Sequence, residues 1–189
     1  MPDSASTLPP EQCAKPSHRD PSKPSWARWW RQVAFVPMRH SHWLPKSAQQ
    51  ALTETVAQAE AGHRGEIVLV VENTLPLKMA HRYGCWDRAL ELFGRYRVWD
   101  TADNTGVLVY LNVCERRLEI VADRGISRHV ADSTWQAMCD RAISGIRAKR
   151  QVTALTELLQ QIGDVLRQHY SLTDDPQGNE LPDTVVFIR

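Results

Sequence analysis

Two short apolar runs, Gly106–Val113 and Leu118–Ala122, are separated by only a charged turn around Glu115 and Arg116. Apolar runs of this length bounded by turn residues read as β-strands. So short a connection allows only an antiparallel pair, because parallel neighbours need a long crossover. The hairpin carries a geometric consequence. The loop before its first strand, Asp100-Thr101-Ala102-Asp103-Asn104-Thr105, and the residue after its second, Asp123, fall at the same sheet edge.

The run Gly65–Glu72 holds five consecutive apolar residues, mostly β-branched, as expected of a strand covered on both faces. Between it and the hairpin, Trp86, Ala89, Leu90 and Phe93 mark one face of a helix within Gly84–Arg97. Strand, helix and strand make a βαβ unit, which brings Glu66, at the start of the first strand, to the same edge as Asp100 and Asp103. Upstream, Ala48, Ala51, Leu52, Val56 and Ala59 define a helix ending at Gly62, and Asn73–Tyr83 reads as a polar loop. Downstream, Asp132-Ser133 is an N-cap pair for a third helix, with Trp135, Met138, Cys139, Ala142 and Ile146 as its buried stripe. A fourth helix covers about 152–170, on Leu155, Leu158, Leu159, Ile162, Val165, Leu166 and Tyr170. Val185–Ile188 either returns as an edge strand or docks. The fold class is therefore α/β, a three-layer α/β/α sandwich around a small mixed sheet.

Six of the eleven prolines lie in residues 1–24, a segment too poor in apolar residues to offset its ordering entropy and expected to be disordered. Residues 25–43 form a Trp-rich arm in which Trp26, Trp29 and Trp30 recur at helical spacing beside Arg28 and Arg31. Two readings compete there: a helix in a membrane interface, or an arm packed on the domain's own surface. The domain proper runs over 44–171, followed by a tail, 172–189.

A net charge of +1 provides no field to attract nucleic acid. No apolar run approaches the roughly 18 residues of a membrane-spanning helix, and the N-terminus lacks the apolar core of a signal peptide. The four cysteines show no CxxC spacing. These features point to a reduced, cytoplasmic protein, at most peripheral to a membrane. Motifs for nucleophilic or P-loop chemistry are absent. His40-Ser41-His42 is a weak transition-metal candidate.

The acidic edge is the stronger candidate site. Two carboxylates about 5 Å apart repel by roughly 3 kcal/mol at an effective dielectric near 20. Asp100, Asp103, Asn104, Asp123 and Glu66 together therefore call for a cation, a proton or a basic neighbour. Oxygen-only donors suit Ca²⁺ or Mg²⁺; Arg124 is one basic neighbour already in place. The alternative is that Asp and Asn serve only as turn formers.

The order GEIVLVVE, then RALELFGRYRVWDTADNTGVLVYL, then RRLEIVADRGI, resembles the TPM domain family over about Leu44–Tyr170. The resemblance implies a three-layer α/β sandwich and an association with membrane-complex maintenance. It also brings phosphatase activity, attributed to plant members, and divalent-cation binding, attributed to some bacterial ones. The commoner members carry a signal peptide and often an anchor, so this chain resembles a short cytoplasmic branch. Asp100, Asp103, Asn104 and Asp123 are the residues that match. Two functions follow as expectations. The favoured one is a divalent-cation-binding accessory or scaffold module, with a membrane-associated complex or membrane surface as partner. The other is a metal-assisted phosphatase in which Arg124 stabilises developing charge.

Overall fold

The computed structural model describes residues 25–35, 43–171 and 185–188. The expected disordered tail, the His40–His42 pair and most of the C-terminal tail lie outside the described residues. The elements run α1 (Trp26–Ala34), α2 (Lys46–Glu60), β1 (Ile67–Glu72), α3 (Leu77–Ala80), α4 (Cys85–Arg95), β2 (Val107–Asn112), β3 (Arg117–Ala122), α5 (Arg124–Ser127), α6 (Asp132–Arg147), α7 (Gln151–Tyr170) and β4 (Val185–Ile188).

The sheet order is β3-β2-β1-β4. β1 pairs in parallel with both β2 and β4, and β2 pairs antiparallel with β3. The hairpin register, Val107 opposite Ala122, brings the start of β2 and the end of β3 together. Alternation along the strands divides the core. Ile67, Leu69, Val71, Val107, Val109, Leu111 and Ile120 face α2, α6 and α7. Val68, Val70, Leu108, Tyr110 and Val121 face α4. Every residue of β1 and β2 is buried, as strands covered on both faces require. The result is the α/β sandwich that the periodicity predicts, with β4 added as an edge strand.

Two local expectations change. The 73–83 segment is not wholly polar loop: Leu75 is fully buried and Leu77–Ala80 closes a helical turn after Pro76, whose fixed φ suits that position. The N-cap of α6 is Ala131, so Asp132 and Ser133 sit in the first turn instead. Asp132 there still complements the helix dipole.

Charged and polar groups enter the α4 side of the core at the carboxyl end of β1. Arg88 Nη2 lies 2.7 Å from Glu72 Oε1, and Arg88 Nε lies 3.2 Å from each carboxylate oxygen. Tyr110 donates its hydroxyl to Glu72 Oε2 at 2.5 Å, and Asn112 Nδ2 donates to the Tyr110 oxygen at 3.0 Å. All four residues are buried. A charge ending an enclosed strand must find a partner, and α4 supplies it.

Candidate functional site

The site expected at the hairpin edge is built from two turns in contact. Asn104 adopts a left-handed backbone, φ 55°, which Asn tolerates because its short polar side chain bonds locally. Its carbonyl then accepts from Gly125 N–H at 2.9 Å. A Cβ on Gly125 would stand 2.3 Å from the Asp103 carbonyl and 2.4 Å from that of Asn104. Glycine is required here by close approach. Inside the loop, Thr101 Oγ1 accepts from Thr105 N–H at 2.9 Å, and the Thr105 hydroxyl donates to the Arg64 carbonyl at 3.1 Å.

Asp123 caps α5, its Oδ1 accepting from Arg124 N–H at 2.6 Å. Its Oδ2 is buried and has no hydrogen-bond partner among the described residues. Burial pushes the Asp123 carboxyl up from the usual carboxylate range, against the pull of the Arg124 N–H and the Arg124 charge. Asp103 Oδ2 instead faces Arg64 Nε at 3.3 Å, and Asp100 Oδ2 faces Arg97 Nε at 3.6 Å. Asn104 Oδ1 accepts from Arg124 Nε at 3.0 Å. Glu66 is buried at the start of β1, where its carbonyl accepts from Val107 N–H at 2.8 Å.

The edge thus brings together the 103–104 backbone and the 123–125 turn. Arginines answer Asp100, Asp103 and Asn104. Among the described residues, no three His, Cys, Asp or Glu side chains come together as a metal cluster. The carboxylate of Asp123 is an oxygen donor of the kind hard cations take, but its Oδ2 is enclosed, and Asp103 and Asn104 are held by Arg64 and Arg124.

The same edge also carries an aromatic cluster. His129 and His169 stack at 5.0 Å, with Tyr170 edge-on to His129 at 5.8 Å. Burial raises the Tyr170 phenol, and the charge of Asp103 adds to the effect. His169 follows from its place near the end of a helix; its stacking on His129 joins residues forty apart and leaves no local signal.

The Ser127 hydroxyl beside the edge is committed, and the thiols elsewhere in the domain are muted. Ser127 donates to the Ala122 carbonyl at 3.0 Å. Burial pushes the Cys85 and Cys139 thiols up, and it raises Cys114, with help from Glu115, to about 11. These thiols are protonated at neutral pH and are poor nucleophiles.

At the other end of the sheet, α1 docks by its polar face. Arg28 Nε donates to the Ala80 carbonyl at 2.6 Å, and Nη2 donates to that of His81 at 3.3 Å. Gln32 Oε1 accepts from Leu75 N–H at 2.9 Å while its amide donates to Glu115. Of the three tryptophans singled out by sequence, Trp29 packs against the α4-side core, whereas Trp26 and Trp30 are 65% and 62% exposed.

Together the mixed sheet and the acidic turn pair define a small α/β sandwich domain with one developed edge. The sequence profile of the TPM domain matches residues 38–165, and the chain belongs to that family. The BA42 protein of the psychrophilic bacterium Bizionia argentinensis is similar in fold, with a TM-score of 0.66, 23% identity, and coverage of 76% of this chain and 94% of that one. The N-terminal domain of a P. gingivalis protein is similar with a TM-score of 0.56, 18% identity, and coverage of 69% and 83%. No curated protein matches the chain. No helix among the described residues is long and apolar enough to cross a membrane.

Proposed function

We propose that this TPM domain is a non-catalytic binding module whose acidic edge takes a hard divalent cation, Ca²⁺ or Mg²⁺. The observation that carries the reading is the buried, unpartnered Oδ2 of Asp123 on a turn packed against the 103–104 loop. A buried polar oxygen without a partner costs about 1–3 kcal/mol, and a cation at that oxygen removes the cost. Asp103 and Asn104 supply further oxygens after releasing Arg64 and Arg124. That exchange makes the affinity weak, on the order of 10⁻⁴–10⁻³ M. In this role the domain is an accessory or scaffold for a membrane-associated complex, as the family resemblance implies.

The phosphatase reading finds less support. Phosphoryl transfer needs positioned charge stabilisation and an oriented nucleophile. The Thr105 and Ser127 hydroxyls donate to backbone carbonyls instead. Calorimetric titration with CaCl₂ and MgCl₂, paired with melting curves, tests the proposal on the wild type and on Asp123→Asn. Asparagine keeps the shape and the cap but removes the charge. The wild type should bind and gain melting temperature, and the variant should do neither. A wild type that gives no heat and no shift overturns the cation. Metal-dependent phosphate-ester turnover lost in both Asp103→Asn and Asp123→Asn would overturn the non-catalytic role.

A further inference from the structure

α1 is inverted relative to an ordinary surface helix. Its buried residues are Arg28 and Gln32, while Trp26, Trp30 and Val33, one stripe at spacings of four and three, face outward. Burying Arg28 and Gln32 is tolerable only because each is hydrogen-bonded, and those bonds fix which face points away. Ser25 N–H adds a bond to the His81 carbonyl at 2.9 Å, and the Trp26 ring rests on His81 at 4.3 Å. α3 continues the surface with exposed Leu77, and Tyr83 follows it.

The charge on this surface has one sign. Residues 25–35 and 73–84 contain no Asp or Glu, and Lys78, Arg82 and Arg31 are exposed. Among the described residues, Glu115 beside this surface pairs with Arg31 at 3.3 Å, and Asp87 accepts from Gly84 N–H at 2.8 Å. Contiguous exposed aromatics mark an interaction surface. Trp and Tyr rings favour the headgroup level of a bilayer, and neighbouring Lys and Arg are drawn to anionic lipid.

We propose that the α1–α3 surface docks on the interface of an anionic lipid bilayer through Trp26, Trp30 and Tyr83, steered by Lys78 and Arg82. A second copy is a poorer occupant, since self-pairing would oppose cation to cation. The surface lies at the carboxyl end of β1, away from the acidic edge, so it stands or falls independently of the cation.

Co-sedimentation of the full chain with vesicles of phosphatidylcholine alone, and of phosphatidylcholine mixed with phosphatidylglycerol, tests it. The wild type should bind the anionic vesicles, with a blue shift of tryptophan fluorescence, and bind less as salt rises. Trp26→Ala/Trp30→Ala should abolish binding at unchanged melting temperature. Lys78→Glu and Arg82→Glu should each weaken it by about fivefold or more, a contribution of about 1 kcal/mol per charge. A wild type that ignores anionic vesicles overturns the proposal, as does binding that survives the double tryptophan variant. Loss of a dimer in that variant, without vesicle binding in the wild type, would assign the surface to a second copy and overturn the proposal equally.

Discussion

Arg64 Nε and Asp103 Oδ2 stand 3.3 Å apart, an ion pair that ties the loop before β1 to the loop before β2. Both side chains are substantially exposed, so the pair contributes about 0.2–1 kcal/mol at most. In the proposed binding module Arg64 competes with a cation for Asp103. Arg64→Gln should therefore raise Ca²⁺ affinity by up to about fivefold, the equivalent of that energy. Calorimetry reads the change directly. Affinity that falls or stays level would remove Asp103 from the cation's oxygens.

The Glu72–Arg88 pair belongs to stability rather than to ligand binding. Glu72→Gln leaves the buried Arg88 charge without its main partner, which typically costs about 3–5 kcal/mol. A chain of this size should lose about 6–20 °C in melting temperature. Glu72→Met combined with Arg88→Met should recover much of the loss, because it leaves no buried charge. A double variant as unstable as the single would show that the tyrosine and asparagine bonds, not the ion pair, hold this end of the sheet.

His63 sets a dependence on acid. It is buried, its Nε2 lies 2.6 Å from the Ala59 carbonyl, and its Nδ1 accepts from Gly65 N–H at 3.0 Å. Those partners require the neutral ring with the proton on Nε2. Burial lowers its pKa below the ordinary 6.5, and Arg167 lowers it further against the two backbone bonds. The folded state thus binds fewer protons than the unfolded chain at mildly acidic pH. Its stabilising contribution is full above about 6.5 and is lost as pH falls toward the lower folded value. His63→Gln should flatten the decline of melting temperature over that window. An unchanged slope would assign the decline to other groups.

Gly125 tests the contact of the two turns. Gly125→Ala would drive a Cβ into the Asp103 and Asn104 carbonyls, and backbone cannot yield as a side-chain end can. A loss of about 1–3 kcal/mol is expected from this overpacking, with weaker cation binding. Denaturant melts check the first effect and calorimetry the second. A fully stable Gly125→Ala protein would mean that the 103–104 loop moves aside without cost.

The architecture was legible because alternation and turn chemistry act locally. Gly106–Val113 and Leu118–Ala122, joined across so few residues, had one way to pair, and that pairing set Asp123 beside the 100–105 loop. Long-range partners left no such trace. The spacing of Trp26, Trp29 and Trp30 defines faces of α1, but which face turns inward is decided by carbonyls of Ala80 and His81, more than fifty residues away. The acidic residues are legible in the sequence, the arginines answering them only in part. Arg124 is adjacent in sequence and Arg97 lies one turn from Asp100, whereas Arg64 reaches Asp103 only through the fold. Glu72 offered a usable signal: a carboxylate ending a strand enclosed on both faces demands a buried cation, and Arg88 in the next long helix is within range.

Amide chemical shifts of the ¹⁵N-labelled full chain during titration with Ca²⁺ and then Mg²⁺ address the binding module most directly. Saturable shifts should concentrate at Arg64, Asp100–Gly106 and Asp123–Ile126 and vanish in Asp123→Asn. Shifts that are absent at millimolar metal, or that gather away from these two turns, would contradict the assignment of the acidic edge as a cation site.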